Sequence, residues 1–121
     1  MEEQKKLLVV DDESDVCDFV KSFFEERNYT VFTALNGNEA ISIFQKEKPG
    51  LILLDVKMKS MDGLTVLRQL KAMDENVKVI MVTALDEQDK IDAARQFGAV
   101  GYITKPLVLG NLEETVERYL R

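Results

Sequence analysis

Five short runs of aliphatic and β-branched residues recur along the chain, and they limit its possible folds more than any other feature. The runs are Lys6 to Val10, Thr30 to Ala34, Leu51 to Leu54, Val77 to Val82 and Val100 to Thr104. Runs of this length and composition predict strands, and the segments between them have the apolar spacing of helices. Near-continuous apolar strands that alternate with helices indicate a parallel sheet with helices on both faces. We therefore predict a three-layer, doubly wound α/β domain.

The predicted first helix has its apolar residues at i, i+3, i+4, i+7 and i+8: Val16, Phe19, Val20, Phe23 and Phe24. This spacing predicts an amphipathic helix that buries Phe19 and Phe23. Asn28 is expected to end that region in a left-handed conformation.

Start and stop signals place the other four helices. Asn36 with Glu39 predicts the start of the second helix, and Pro49 lies beyond its end. The third is expected from Gly63 to Met73, the fourth from near Asp86 to Gly98 with Ile91, Ala94 and Phe97 on one side, and the fifth through Leu112, Val116, Tyr119 and Leu120. The fifth helix lacks a capping side chain where it should begin, at Val108-Leu109-Gly110.

Length and composition exclude several classes of protein. The 121 residues are expected to form one domain, residues 1–121, with a core large enough to need no disulfide. A net charge of −6 argues against binding to a nucleic-acid backbone, and zero histidines exclude Ser-His-Asp and Cys-His nucleophile pairs. With one cysteine, no signal peptide and no long apolar run, we expect a cytoplasmic protein that does not enter a membrane.

Polar residues follow four of the five predicted strands. They are Asp11-Asp12 after the first, Asp55 after the third, Thr83 after the fourth and Lys105 after the fifth. Because the carboxyl ends of parallel strands meet at one edge of a sheet, these side chains are expected to face one crevice. Each alone could be an ordinary turn or capping residue, but three neighbouring carboxylates repel, at about 4 kcal/mol per pair at 4 Å and an effective dielectric near 20.

A divalent cation would explain this cluster of carboxylates. Three carboxylates and the lysine leave the site at a formal charge of −2, which one Mg²⁺ neutralises. Mg²⁺ suits carboxylate and phosphate oxygens, whereas Zn²⁺ favours histidine or cysteine. The metal, Lys105 and Thr83 are then placed to balance the charge of a phosphoryl group that is transferred to a carboxylate.

The same residues resemble the receiver domain of two-component response regulators over essentially the whole chain. The matching motifs are Asp11-Asp12, Asp55 with Met58 and Asp62-Gly63, Thr83-Ala84, and Lys105-Pro106. The resemblance implies a flavodoxin-like sheet of order 2-1-3-4-5. It also implies a phosphorelay domain that is not an enzyme, although the domain would assist both its own phosphorylation and its own dephosphorylation, which is slow.

Roles for single residues follow from that resemblance. Asp55 would be the phosphoacceptor, with Asp12, Asp55 and the Lys57 carbonyl as direct Mg²⁺ ligands and Asp11 acting through a metal-bound water. We expect that Mn²⁺ can substitute for Mg²⁺. Lys105 would pair with the phosphate, its bond to Pro106 is expected to be cis, and Thr83 and Tyr102 would form the switch pair.

Partners follow from the resemblance too. It implies a sensor histidine kinase or histidine phosphotransfer protein as donor, a downstream output domain or protein, and a homodimer that would form on phosphorylation. We predict a kinase-docking stripe on the first helix at Cys17, Val20, Lys21 and Phe24. We also predict an output face on the fourth helix, fifth strand and fifth helix that contains Lys90, Tyr102 and Arg118.

Some residues depart from the family pattern. Lys59 lies where family members often have proline, Leu107 replaces a common aromatic residue, and Val108 replaces a capping residue. Lys57 and Leu85 resemble the variable positions that, in the family, tune phosphate lifetime.

Two other functions remain alternatives. A Mg²⁺-dependent aspartyl-phosphate phosphohydrolase usually has a second aspartate two residues after its nucleophile, where this chain has Lys57. A flavin mononucleotide carrier would need a first loop rich in Ser, Thr and Gly, whereas Asp11-Asp12-Glu13 would repel phosphate. The sequence leaves open whether the receiver acts alone or within a longer regulator or hybrid kinase.

Overall fold

The computed structural model describes residues 5–59, 61–84 and 88–120, which form a parallel five-stranded sheet with five helices. The strands are β1 (Lys6–Val10), β2 (Thr30–Ala34), β3 (Leu51–Asp55), β4 (Val79–Thr83) and β5 (Gly101–Thr104). The helices are α1 (Ser14–Glu25), α2 (Gly37–Glu47), α3 (Gly63–Met73), α4 (Gln88–Gln96) and α5 (Leu109–Leu120). None of the described helices is both long and apolar enough to cross a membrane.

The sheet has the predicted order, β2-β1-β3-β4-β5, with every neighbouring pair parallel. All residues of β3 and β4 are buried, as expected for strands covered on both faces. β4 begins two residues later than predicted, because the Val77 amide bonds to the Asp74 carbonyl in a turn that follows α3. The chain order changes direction between β1 and β3, so the carboxyl ends of these two strands lie side by side.

Side chains that alternate along the strands build two apolar layers, one on each face of the sheet. Leu8, Ile52 and Met81 belong to the layer beneath α2 and α3. Leu7, Leu53 and Ile80 belong to the layer beneath α1 and α5. This alternation follows from the two-residue period of a strand.

The prediction for the face of α1 was wrong at Phe19, although Val20 and Phe24 of the predicted stripe are buried. Phe19 is 51% exposed, whereas Cys17, Val20 and Phe24 are at most 2% exposed and pack in the core. These three residues lie at i, i+3 and i+7, which is also the spacing of a helical stripe. The prediction favoured the stripe with Phe19 and Phe23 because it contains more aromatic residues. The predicted kinase-docking stripe is therefore wrong, since three of its four members are buried. Burial raises the pKa of the Cys17 thiol to about 11, so it is a protonated core residue.

Several helix ends follow the predicted signals. Asn36 caps α2 by accepting a hydrogen bond from the Glu39 amide at 2.9 Å. Asn28 has a φ of 68°, in the left-handed region. α4 ends at Gln96, two residues before the left-handed Gly98, and its predicted start near Asp86 lies outside the described residues, as does Leu85.

Candidate functional site

Three carboxylates meet where β1 and β3 end. Asp11 follows β1, Asp12 follows Asp11, and Asp55 is the last residue of β3. Each offers an oxygen, and the three oxygens lie within 4.8 Å of one another. Asp11 and Asp55 are 3% and 6% exposed, whereas Asp12 is half-buried. The prediction that these side chains share one crevice is confirmed by this geometry.

Lys105 is the cation of the cluster. Its Nζ lies 3.2 Å from Asp11 Oδ2 and 3.5 Å from Asp55 Oδ2. Its backbone amide donates to the Thr83 carbonyl at 2.7 Å, which extends the β4–β5 pairing and aims the side chain across the strand ends. The bond from Lys105 to Pro106 is cis, as expected from the resemblance.

Burial and charge shift the pKa values of Asp55 and Lys105. Desolvation, followed by repulsion from Asp11, raises the pKa of Asp55 to about 6, and Lys105 together with the Lys57 amide only partly opposes this. Burial by itself would lower the pKa of Lys105, but attraction to Asp55 and Asp11 produces a net increase. At neutral pH the site therefore holds an ionised Asp55 beside an ammonium group.

Backbone amides orient the carboxylates. The Glu13 amide donates to Asp11 Oδ1 at 2.9 Å, and the Lys59 amide donates to Asp12 Oδ2 at 3.0 Å. A hydrogen bond from the Lys57 amide to Asp55 favours its charged form. Sequence reasoning missed the role of Lys59, because a backbone donor gives no side-chain signal.

The start of α3 packs directly against the backbone of Asp55 and Val56. A Cβ at Gly63 would overlap the Asp55 carbonyl oxygen and would lie 2.8 Å from Val56 Cα. The Gly63 amide donates to the Val56 carbonyl at 2.8 Å, and Asp62 caps the helix through the Leu64 amide. The cap could be predicted from the sequence, since an aspartate just before a predicted helix is a typical capping residue.

Thr83 and Tyr102 have contrasting surroundings. Thr83 is 1% exposed, and its hydroxyl has no hydrogen-bond partner among the described residues. Tyr102 is 42% exposed, with the Arg95 guanidinium 5.3 Å from its ring centre. The structure thus contains a buried hydroxyl at the end of β4 and an aromatic ring directed outward from β5.

A solvent-open groove of about 530 Å³ borders the cluster on the side of Asp12. Its walls include Lys57, Met58 and Lys90, and the Lys90 ammonium lies 3.8 Å from Asp62 Oδ2. The groove gives an ion or an anionic group a path to the carboxylates. The lysines on its walls favour the approach of an anion.

The donor set fits Mg²⁺. All three side chains offer carboxylate oxygens, and the half-buried Asp12 opens toward the groove, which leaves room for the waters that Mg²⁺ retains. The buried, unpartnered Thr83 hydroxyl adds a polar atom beside the strand ends. Asp11, Asp12 and Asp55 are the side chains around which such an ion would lie.

Comparison with known proteins identifies the family. The model of the response regulator receiver domain matches residues 7–117. The chain belongs to the response regulator receiver domain family. Receiver domains bind Mg²⁺ through acidic residues, and the cluster of Asp11, Asp12 and Asp55 is of that kind.

Relatives of the receiver domain differ in length. Sporulation initiation phosphotransferase F of Bacillus subtilis is 37% identical over 116 residues, which cover 96% of this chain and 94% of that protein. The alkaline phosphatase synthesis transcriptional regulatory protein PhoP of the same species is 38% identical over 97% of this chain but only 49% of its own length. The chain thus spans nearly all of one relative and about half of the transcriptional regulators it matches.

Solved structures give the same fold. Vibrio cholerae chemotaxis protein CheY4 aligns with a TM-score of 0.92 at 28% identity, covering 98% of this chain and all of that one. The receiver domain of NtrX from Brucella abortus aligns with a TM-score of 0.89 at 28% identity, over 94% and 97% of the two chains. Family and fold together support a phosphoacceptor signalling role.

Proposed function

We propose that this receiver domain accepts a phosphoryl group on Asp55 in a Mg²⁺-dependent reaction and thereby switches its surface. The observation that carries the proposal is the position of the Asp55 carboxylate at the end of the central strand β3, beside Asp11 and 3.5 Å from the Lys105 ammonium. A nucleophile in this position lies beside the Lys105 ammonium and beside the carboxylates that would hold the metal, so the fold need not rearrange.

The chemistry is a transfer between two partners. An Asp55 oxygen forms a bond to phosphorus while the bond from phosphorus to a ring nitrogen of a partner's phosphohistidine breaks, and the imidazole leaves with the electron pair. The products are an aspartyl phosphate and a free histidine. A pKa of about 6 keeps Asp55 ionised at neutral pH, so no base is needed to generate the nucleophile.

Charge balance is the main task of the surrounding residues. Bound Mg²⁺ would supply electrostatic stabilisation of the phosphoryl oxygens. Asp12, Asp55 and the Lys57 carbonyl would hold it directly, and Asp11 would act through a water. Lys105, freed in part from Asp55 when that carboxylate is phosphorylated, would pair with a phosphoryl oxygen.

The switch would use Thr83 and Tyr102. The Thr83 hydroxyl has no partner within the described structure, so a phosphoryl oxygen at Asp55 would offer it an acceptor. Movement of Thr83 toward that oxygen would leave space for the ring of Tyr102, which is 42% exposed in this structure. The changed surface would be that of α4, β5 and α5, including Lys90 and Arg118.

We propose a sensor histidine kinase or histidine phosphotransfer protein as donor, and an output domain or protein as receiver of the signal. The longer relatives, which extend to twice the matched length, are consistent with an attached output domain in some proteins. The domain is a signalling module rather than a hydrolase, because Lys57 occupies the position where a phosphohydrolase has its acid.

Intact mass spectrometry tests this function. The protein is treated with acetyl phosphate in Mg²⁺ or in EDTA, alongside Asp55→Asn and the control Asp18→Asn, which removes an exposed aspartate from α1. We expect one added phosphoryl group on the wild type and the control, only with metal, and none on Asp55→Asn. Modification of Asp55→Asn, or equal modification in EDTA, would overturn the assignment.

A further inference from the structure

Asp12 differs from the other two carboxylates in how it is held. Lys105 pairs with Asp11 and Asp55, whereas Asp12 Oδ2 accepts a hydrogen bond from the backbone amide of Lys59 at 3.0 Å. These residues are 47 positions apart and lie on different loops, one after β1 and one after β3. Asp12 is also the most exposed of the three, so fewer neighbours restrict its side chain.

We propose that the Lys59 amide is a positioning group that orients Asp12 for the divalent cation, an inference that rests on the proposed function. A carboxylate that binds a metal through one oxygen leaves the other free to accept a hydrogen bond. With Oδ2 held by the amide, Oδ1 is the oxygen available to the ion, and the side chain loses less rotational freedom when the ion binds. Removing such supporting hydrogen bonds typically weakens metal binding by about 10–100-fold.

The donor is a backbone group, so the identity of residue 59 matters in only one respect. Any residue except proline supplies the N–H, and proline does not. The Lys59 side chain is exposed, so its removal leaves no cavity. Lys59→Ala removes the ammonium and keeps the amide, whereas Lys59→Pro removes both and also fixes the backbone φ. The difference between them therefore measures the loss of the amide donor together with that restriction, and a second test leaves residue 59 unchanged.

The first test is a Mg²⁺ titration of the three proteins, with the backbone amide NMR shifts as the readout. Lys59→Ala should bind Mg²⁺ as tightly as the wild type or slightly more tightly, because the variant lacks one positive charge that repels the ion. We expect the Mg²⁺ dissociation constant of Lys59→Pro to be about tenfold larger than that of Lys59→Ala, which is the lower end of the range for such contacts. Equal constants for the two variants would overturn the inference.

The second test needs no metal and no substitution at position 59. In EDTA, hydrogen exchange of the Lys59 amide is compared between the wild type and Asp12→Ala. We expect several-fold faster exchange in the variant, with the Leu64 amide, which donates to Asp62 Oδ1 at 2.8 Å, as an unaffected control. Unchanged exchange at Lys59 would overturn the inference even if Lys59→Pro failed to fold.

The two proposals fail in different ways. A wild-type protein that does not bind Mg²⁺ would remove the proposed function and this inference with it. A wild type that binds Mg²⁺, with equal affinities in Lys59→Ala and Lys59→Pro, would remove the inference alone.

Discussion

Replacing Asp55 with asparagine is expected to stabilise the metal-free fold at neutral pH. Burial and Asp11 raise the pKa of Asp55 from 3.8 to about 6. Between these two values the folded state binds a proton that the unfolded state has released, so stability falls as pH rises through about 4 to 6. Above that window the cost of ionised Asp55 is fully present, and at 1.36 kcal/mol per pKa unit it amounts to roughly 3 kcal/mol. Asparagine has nearly the same shape and no charge.

Urea unfolding in EDTA at pH 7.5 and at pH 4 measures this difference. We expect Asp55→Asn to be more stable than the wild type by roughly 3 kcal/mol at pH 7.5, on the order of 10 °C in melting temperature, with most of the gain gone at pH 4. Asp18→Asn, which removes an exposed charge, should change stability by less than about 0.5 kcal/mol at both pH values. A wild type as stable as Asp55→Asn at pH 7.5, or a gain independent of pH, would refute the electrostatic reasoning.

Three other substitutions test the surroundings of the site. Gly63→Ala should destabilise the protein by about 1–3 kcal/mol in urea unfolding, because the new methyl group meets backbone, whereas Gly110→Ala, with nothing within 4 Å, should be neutral or stabilising by up to about 1 kcal/mol; equal effects would contradict the packing argument. Thr83→Val should stabilise the unphosphorylated protein by about 1 kcal/mol, since it removes a buried hydroxyl without a partner, and calorimetry that shows a loss would mean that the hydroxyl is bonded. Lys105→Met should destabilise the metal-free protein by about 2 kcal/mol at pH 7.5 and by less at pH 5, where Asp55 takes up a proton; a loss independent of pH would show that the role of Lys105 is packing.

Strands and helix ends could be predicted because their signals are local. β1 and β2 have the predicted bounds, since each is a short run of aliphatic and β-branched residues. Convergence of Asp11, Asp55 and Lys105 at one edge of the sheet followed from its parallel topology, and their nearness followed from the strand order that the resemblance implies. The face of α1 could not be decided in this way, because Phe19 and Phe24 lie on two overlapping helical stripes and only packing against the sheet selects one.

The parts of the site that the sequence left undefined depend on backbone groups and on distance. The Lys59 amide reaches Asp12 across 47 positions, which no local pattern encodes. The close approach of Gly63 to Asp55 depends on the angle at which α3 leaves the sheet. The exposure of Tyr102 depends on what covers an edge strand, and residue type does not report this.

The central claim is that Asp55, among three clustered aspartates, receives the phosphoryl group. Borohydride reduces an aspartyl phosphate to homoserine, so treatment after Mg²⁺ and acetyl phosphate, followed by peptide sequencing in the mass spectrometer, locates the modified residue. We predict homoserine at position 55 and unmodified Asp11 and Asp12. Homoserine at position 11 or 12, or at no position after confirmed phosphorylation, would contradict the account.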